Sequence, residues 1–241
     1  QNQTGRQNHL WKPEPGKQTV RIVPYQYDKD NPFLELYFHY GFNGKNFLSP
    51  ITHGEADPIV EFAEKLKATG NRDDWQMSRK LEPKMRTYVP VLVRGAESEG
   101  VKLWGFGKTV YQELLSFIAD PDYGDITDVN AGRDITVEFK TAEETGKQFP
   151  STSIRIKPNQ TAATDNKEVA EAIMNGQKDI FEIFKKGSYE DLKQSLSEWL
   201  DPESDGSAQP TTKPVTTNNN STQATKKVDD VGAAFDELFN N

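Results

Sequence analysis

Thr87-Tyr-Val-Pro-Val-Leu-Val93, followed across the loop Gly95–Gly100 by Val101-Lys-Leu-Trp-Gly-Phe106, is the stretch on which the fold turns. Both segments are short runs rich in β-branched and aromatic residues, bounded by turn formers, as neighbouring strands are. Upstream, Thr19-Val-Arg-Ile-Val23 alternates and stops at Pro24, which cannot donate to a ladder. Phe33–Phe38 is a further strand, dense in aromatics, and Gly41-Phe-Asn-Gly-Lys45 reads as a hairpin turn. Downstream, Arg133–Phe139 and Ser153–Ile156 alternate as a late hairpin. Ile59–Ala68 has apolar residues at helical spacing and ends near Gly70, and Thr109–Ile118 is an amphipathic helix. Short strands interrupted by one or two helices predict an α+β chain, mainly β: a small barrel with inserted helices and not a βαβ array.

The chain has 241 residues, of which only 34% are hydrophobic and 27% are charged, so a core requires that part of the chain stay outside it. Residues 1–9 are polar and read as a flexible segment; the absence of an initiator Met reads as processing or trimming. Residues 10–160 form the strand-rich core. Over 161–202 the period changes, and Val169, Ile173, Ile180, Phe184, Leu192, Leu196 and Leu200 mark helices that complete it. Residues 203–225, full of Ser, Thr, Asn, Gln and Pro, cannot repay their ordering entropy and read as a disordered linker. Residues 226–241 form an acidic tail.

Several function classes drop out. No apolar run approaches the ~20 residues of a membrane span and no signal peptide opens the chain, which predicts a soluble, intracellular protein without membrane partners. The chain contains no cysteine, which excludes disulfides and thiolate metal sites. There is no phosphate loop, nucleophile elbow or His-Glu-x-x-His. The three histidines, His9, His39 and His53, are isolated, and the adjacent acids Asp73-Asp74 and Glu143-Glu144 suit turns better than a shared metal. The reading is therefore a non-enzyme with no catalytic residues, cofactor or metal. The net charge of −8 argues at first against nucleic acid. However, residues 1–160 carry 21 Lys/Arg against 22 Asp/Glu, while residues 161–241 carry 8 against 15, so most of the excess acid is C-terminal.

The positive signal is cations interleaved with aromatics. Arg72, Trp75, Arg79, Lys80, Lys84, Arg86 and Tyr88 lie close together, with Arg21, Tyr25 and Tyr27 upstream and Trp104, Phe106 and Lys108 downstream. From Arg79 to Arg94 there are five Lys/Arg against the single acid Glu82. A single strand needs this combination: cations follow phosphates, and aromatic faces stack on bases of any sequence. Phe38, Phe62 and Phe139 read instead as core. Trp75, between Asp74 and Gln76, is in a stretch too polar for natural burial. A second signal is the tail, where Asp229, Asp230, Asp236 and Glu237 alternate with Val231, Phe235, Leu238 and Phe239. Acids interleaved with aromatics behind a linker make a docking peptide, which folds on a partner or lies across a basic groove.

The order of Trp11-Lys-Pro13, Gln18–Pro24, His39-Tyr-Gly-Phe42, Thr52-His-Gly54, Asp74–Lys80, Glu99–Lys102, Phe106-Gly-Lys108 and the tail resembles the single-stranded DNA-binding, helix-destabilising proteins of T-even-type phages. The resemblance implies an OB-fold barrel core with an electropositive cleft, and a tail that contacts replication and recombination proteins. It implies Trp75 as a cleft aromatic, Arg79 and Lys80 as phosphate contacts, and Arg21 as the basic residue of the first barrel strand. Lys108 and Phe149 follow by the same resemblance, whereas Arg86 and Tyr88 rest on local composition. Two departures stand out. Members of that family hold a structural zinc with one histidine and three cysteines; His39 stands at the histidine's place, but the cysteines are absent, so packing around Ile51–Leu66 must stabilise that lobe. The family's basic N-terminal arm drives cooperative filament formation, and the first residues here offer only Arg6.

The expectation is thus a sequence-tolerant single-stranded DNA-binding protein, coating exposed strands in phage DNA replication, recombination and repair in the cytoplasm of an infected bacterial host. Its partners are single-stranded DNA, replication and recombination proteins through the tail, and further copies of itself along DNA. The rival readings are an RNA-binding translational regulator of the same fold and, further off, a metal-dependent nuclease.

Overall fold

In the computed structural model, residues 9–42, 44–200, 234, 235, 238 and 239 are described. The strands are β1 (Leu10–Trp11), β2 (Gly16–Ile22), β3 (Leu34–Phe42), β4 (Lys45–Leu48), β5 (Lys84–Val93), β6 (Lys102–Phe106), β7 (Gly132–Lys140) and β8 (Ser151–Thr161). The helices are α1 (Pro58–Ala68), α2 (Arg72–Leu81), α3 (Lys108–Ile118), α4 (Ala142–Thr145), α5 (Lys167–Asn175), α6 (Ile180–Ile183) and α7 (Tyr189–Leu200). The chain divides into two compact units, Gln1–Leu36 with Met85–Lys185, and Tyr37–Lys84 with Lys186–Asn241. Helices α5 and α6 fall in the first unit and α7 in the second, as the chain that follows β8 passes through both.

The first unit is a sheet in the order β1-β6-β5-β2-β7-β8, antiparallel except for the parallel β1–β6 pair. This is an OB-like core. Among the described residues no ladder closes β8 onto β1, since the two residues of β1 offer too little backbone to pair a second neighbour. Thr87–Leu92 of β5 is buried on both faces, which is why that run lacks a polar alternation. Pro90 is tolerated there because the β2 ladder ends one residue earlier, at Ile22↔Val91; its carbonyl still accepts the Val23 N–H at 3.0 Å. Val20, Ile22, Val89, Val91, Trp104, Phe106, Ile135, Val137, Ile154 and Ile156 fill the core, with Val110 and Leu114 of α3 packed on it.

The second unit holds the β3–β4 hairpin, a 3₁₀ turn at Pro50–His53, and α1, α2 and α7 around Phe42, Ile59, Phe62, Leu66, Leu81, Leu192 and Leu196. The expected turn is present, with Gly44 at φ 73°, a left-handed conformation that costs glycine no steric penalty. Helix α1 starts where Asp57 caps it, its carboxylate accepting from Ile59 N at 2.9 Å and Val60 N at 3.3 Å, with Pro58 at the first helical position. Helix α2 was not expected from the sequence, because the run is so polar overall that its amphipathic period does not stand out as an apolar stripe.

Candidate nucleic-acid interface

Helix α2 builds the clearest surface. Asn71 caps it by accepting Asp73 N–H at 2.9 Å. Asp73 and Asp74 in the first turn, and Arg79 and Lys80 in the last, match the helix macrodipole. Ser78 and Leu81 turn inward, which leaves Arg72, Trp75, Gln76 and Arg79 on the opposite, exposed face at i, i+3, i+4 and i+7 spacing. Trp75 is 52% exposed, an unusual state for so large an apolar surface. The Arg79 guanidinium lies 5.5 Å from its ring centroid, so a cation and an aromatic face are presented together. Lys80 is exposed beside them, and Lys84 is exposed at the start of β5. Glu82, the one acid of this stripe, is taken up by Lys67 at 2.7 Å and Arg79 at 3.4 Å. The Lys67 hydrogen bond, foremost, holds the Glu82 carboxyl below the usual carboxylate range.

On the first unit the named residues split. Lys108 is exposed at the first residue of α3, where Gly107 supplies no side-chain cap; backbone donors and an ammonium thus share one end of that helix. Phe149 is 68% exposed in the loop before β8. Arg86 is half-buried and donates to the Gly105 carbonyl at 3.1 Å. Sequence reasoning passed over Arg155 and Lys157, which are exposed on β8 and alternate with buried Ile154 and Ile156. The period-2 run Ser153-Ile-Arg-Ile-Lys157 carried that signal, since both cations fall on one face.

Four expected contacts lie in the interior. Arg21 is fully buried: its guanidinium reaches Asp134 at 3.0 Å and the Thr161 carbonyl and hydroxyl at 2.9 and 2.5 Å. Burial lowers its pKa and Asp134 opposes that shift, so it is a structural ion-pair residue shared with Arg94, which meets Asp134 at 2.8 Å. Trp104 and Phe106 are 1% and 3% exposed and meet edge-to-face at 4.6 Å, with Trp11 edge-on at 5.5 Å from Trp104. Tyr88 lies flat over bare Gly105, where a Cβ would come within 2.4 Å of its ring, and 5.0 Å from Phe184. These aromatics are covered because β5 and β6 are central strands, a position that the local sequence does not reveal.

His39 is likewise buried, and its Nε2 lies 3.0 Å from Asp57 Oδ2, to which the Ser49 hydroxyl also donates. Burial raises the Asp57 carboxyl, but His39, Ser49 and the α1 N–H groups outweigh it and hold the pKa below the usual value. With Nε2 engaged in this way and no cysteine in the chain, the donors do not fit a tetrahedral zinc set, and no group of three ligand-type residues occurs among the described residues. The lobe is stabilised by a buried polar knot in addition to the packing that the sequence suggested.

In the tail, Asp229, Asp230, Asp236 and Glu237 are outside the described residues. Phe235, Leu238 and Phe239 are described, and they pack in the apolar cluster of the second unit. The flexible segment, apart from His9, and the linker 203–225 are also outside the described residues.

An OB-like core with exposed cations set beside exposed aromatic faces is the constitution of a single-stranded nucleic-acid-binding protein. The chain belongs to the gp32 DNA-binding-protein-like family, whose model matches residues 14–199 and so covers the core of both units. That family is defined by DNA binding and not by an enzymatic reaction, and membership supports a single-stranded DNA-binding role. No curated protein matches the chain.

Proposed function

We propose that the chain coats transiently exposed single strands during phage DNA replication, recombination and repair, in the cytoplasm of an infected bacterial host. Binding is at equilibrium: by favouring the single strand it lowers the free energy of melted DNA without nucleotide hydrolysis. The observation that carries this reading is the exposed Trp75–Arg79 pair on α2. The ring stacks on a base while Arg79, Lys80 and Lys84 neutralise phosphates; on the first unit, taken by itself, Arg86, Lys108 and Phe149, with Arg155 and Lys157, offer contacts of the same kind. The acidic tail recruits replication and recombination proteins, and further copies of the chain assemble along the strand.

A fluorescence titration of the four tryptophans with oligo-dT, across salt concentrations and against duplex DNA, tests the proposal. Quenching with a steep salt slope, little response to duplex, and loss of the quench in W75F are expected. An unquenched chain at low salt refutes it. Equal or tighter binding of oligo-U of the same length would favour the RNA-regulator reading. Deleting Asp229–Asn241 should leave oligo-dT affinity equal or higher while removing partner capture.

A further inference from the structure

Val20 and Ile22 of β2 point into the core with Ile135, Val137, Ile154 and Ile156, so the residues between them form the opposite face of the β2-β7-β8 sheet. The register sets its rows. Thr19 stands opposite Thr136, and Thr136 opposite Arg155; Lys17 stands opposite Glu138, and Glu138 opposite Ser153. At one end the face is closed: Arg21 is buried and spent on Asp134, and Leu92, its partner across the β2–β5 ladder, packs with Ile173 of α5. Towards Lys17 it opens, with Lys17, Ser153, Arg155 and Lys157 exposed and Thr19 and Thr136 half-buried. The charge on the open part is one-sided. Glu138 is cancelled by Lys140 at 3.5 Å, and Asp134 is held between Arg21 and Arg94. Lys17, Arg155 and Lys157 have no ion pair or hydrogen bond among the described residues, and neither do the hydroxyls of Thr19, Thr136 and Ser153. Arg155 and Lys157 stand about 6.8 Å apart along β8, and Lys17 lies two strands, about 10 Å, across from them. The three strands put no aromatic ring on this face, since Phe139 has the core parity of Ile135 and Val137.

We infer that this face is a second DNA site, one that holds the phosphodiester backbone alone and therefore accepts duplex as well as single strand. The inference rests on the DNA-coating role proposed above, and adds to it a site that stacking does not serve. Cations and hydroxyls are the donors that phosphate oxygens take, and they carry no information about base or strand form. Rings and base-edge contacts would select the single strand, and the open rows of this face supply only cations and hydroxyls. An acidic peptide fits less well, because a stable peptide complex is anchored by apolar side chains and the open part of this face is polar throughout. A protein that coats a melted strand works beside the duplex that borders it, and a backbone-only face gives it a hold there. Duplex bound in this way touches no tryptophan, so it is silent in the fluorescence titration and has to be read at the backbone amides.

The test is an amide-resolved NMR titration of the full-length, isotope-labelled chain with a short blunt DNA duplex at low salt, with one equivalent of short oligo-dT already bound. Shifts are expected at Lys17–Thr19, Thr136–Glu138 and Ser153–Lys157, while the tryptophan fluorescence set by oligo-dT stays where it was. K17Q should lower the slope of log duplex affinity against log salt by about 0.9, and R155Q/K157Q by about 1.8, if each cation neutralises one phosphate. K17Q should keep the parent's oligo-dT quench and melting point, which shows that the loss is not one of folding. Four results overturn the second site: no shift of these amides, shifts that bound oligo-dT abolishes, a duplex salt slope unchanged in both variants, or shifts produced by poly-glutamate at concentrations where duplex produces none. The last would make the face a surface for an acidic protein. The two readings fail separately. A chain that binds duplex on this face yet shows no oligo-dT quench loses the coating role alone, and one that quenches normally yet gives no duplex shift loses the second site alone.

Discussion

Replacing Asp57 with alanine removes four interactions from one carboxylate. Oδ1 caps α1 through Ile59 N at 2.9 Å and Val60 N at 3.3 Å; Oδ2 binds His39 Nε2 at 3.0 Å and accepts from Ser49. The cap contributes about 1 kcal/mol. His39 and Ser49 are left buried without that partner, at about 1–3 kcal/mol for each unsatisfied polar group. The total is about 3–7 kcal/mol, a range that includes the ~3–5 kcal/mol of breaking a buried charged pair. For a chain of this size that corresponds to a midpoint roughly 6–28 °C lower. D57N keeps a capping oxygen and should lose less than half as much. The pH dependence has a definite sign. The Asp57 pKa is held below its ordinary value, so its stabilisation is complete above the unfolded pKa of 3.8 and is lost as pH falls through the lower folded value. Thermal melts of parent and D57A between pH 2 and 7 should therefore converge at the acid end. A loss under about 0.5 kcal/mol at pH 7, or a difference that grows on acidification, would refute the claim that this knot holds the lobe.

Three other outcomes follow from where the side chains sit. W75A should weaken oligo-dT binding by about 1–3 kcal/mol, the worth of one base–aromatic stack, with an unchanged melting point. R79Q and K80Q should each reduce the slope of log affinity against log salt by about 0.7, read by titration at several salt concentrations; an unchanged slope would take that residue off the phosphate path. R21A should behave in the opposite manner. It should cost about 3 kcal/mol of stability, because the buried site loses its guanidinium while Arg94 still neutralises Asp134, and folded R21A should keep the parent salt slope.

Much of the architecture was legible because periodicity is local. Val20 and Ile22, Val89 and Val91, and Ile154 and Ile156 alternate in the chain as they do on the sheet, and the helical spacing of Ile59–Ala68 reappears in α1. Helix α2 was hidden because its mean composition is strongly polar and its one capping residue, Asn71, is ambiguous. The aromatics divided for a reason that spacing does not carry. Trp75 and Trp104 both stand near cations in the chain, yet one is half-exposed and the other sealed.

The sequence alone determined the class of protein: strand-and-helix order, a basic and aromatic middle, an acidic aromatic end and no cysteine. Those properties depend on residue type and near-neighbour spacing. Only tertiary structure decided that Arg21, Tyr88, Trp104 and Phe106 belong to the interior, that His39 answers to Asp57, and that Phe235 and Phe239 lie against α1 and α7. Each of those outcomes depends on which strand is central or which distant helix comes alongside. Burial is set by partners as many as 173 residues apart, as Phe62 and Phe235 are, and no local pattern encodes them.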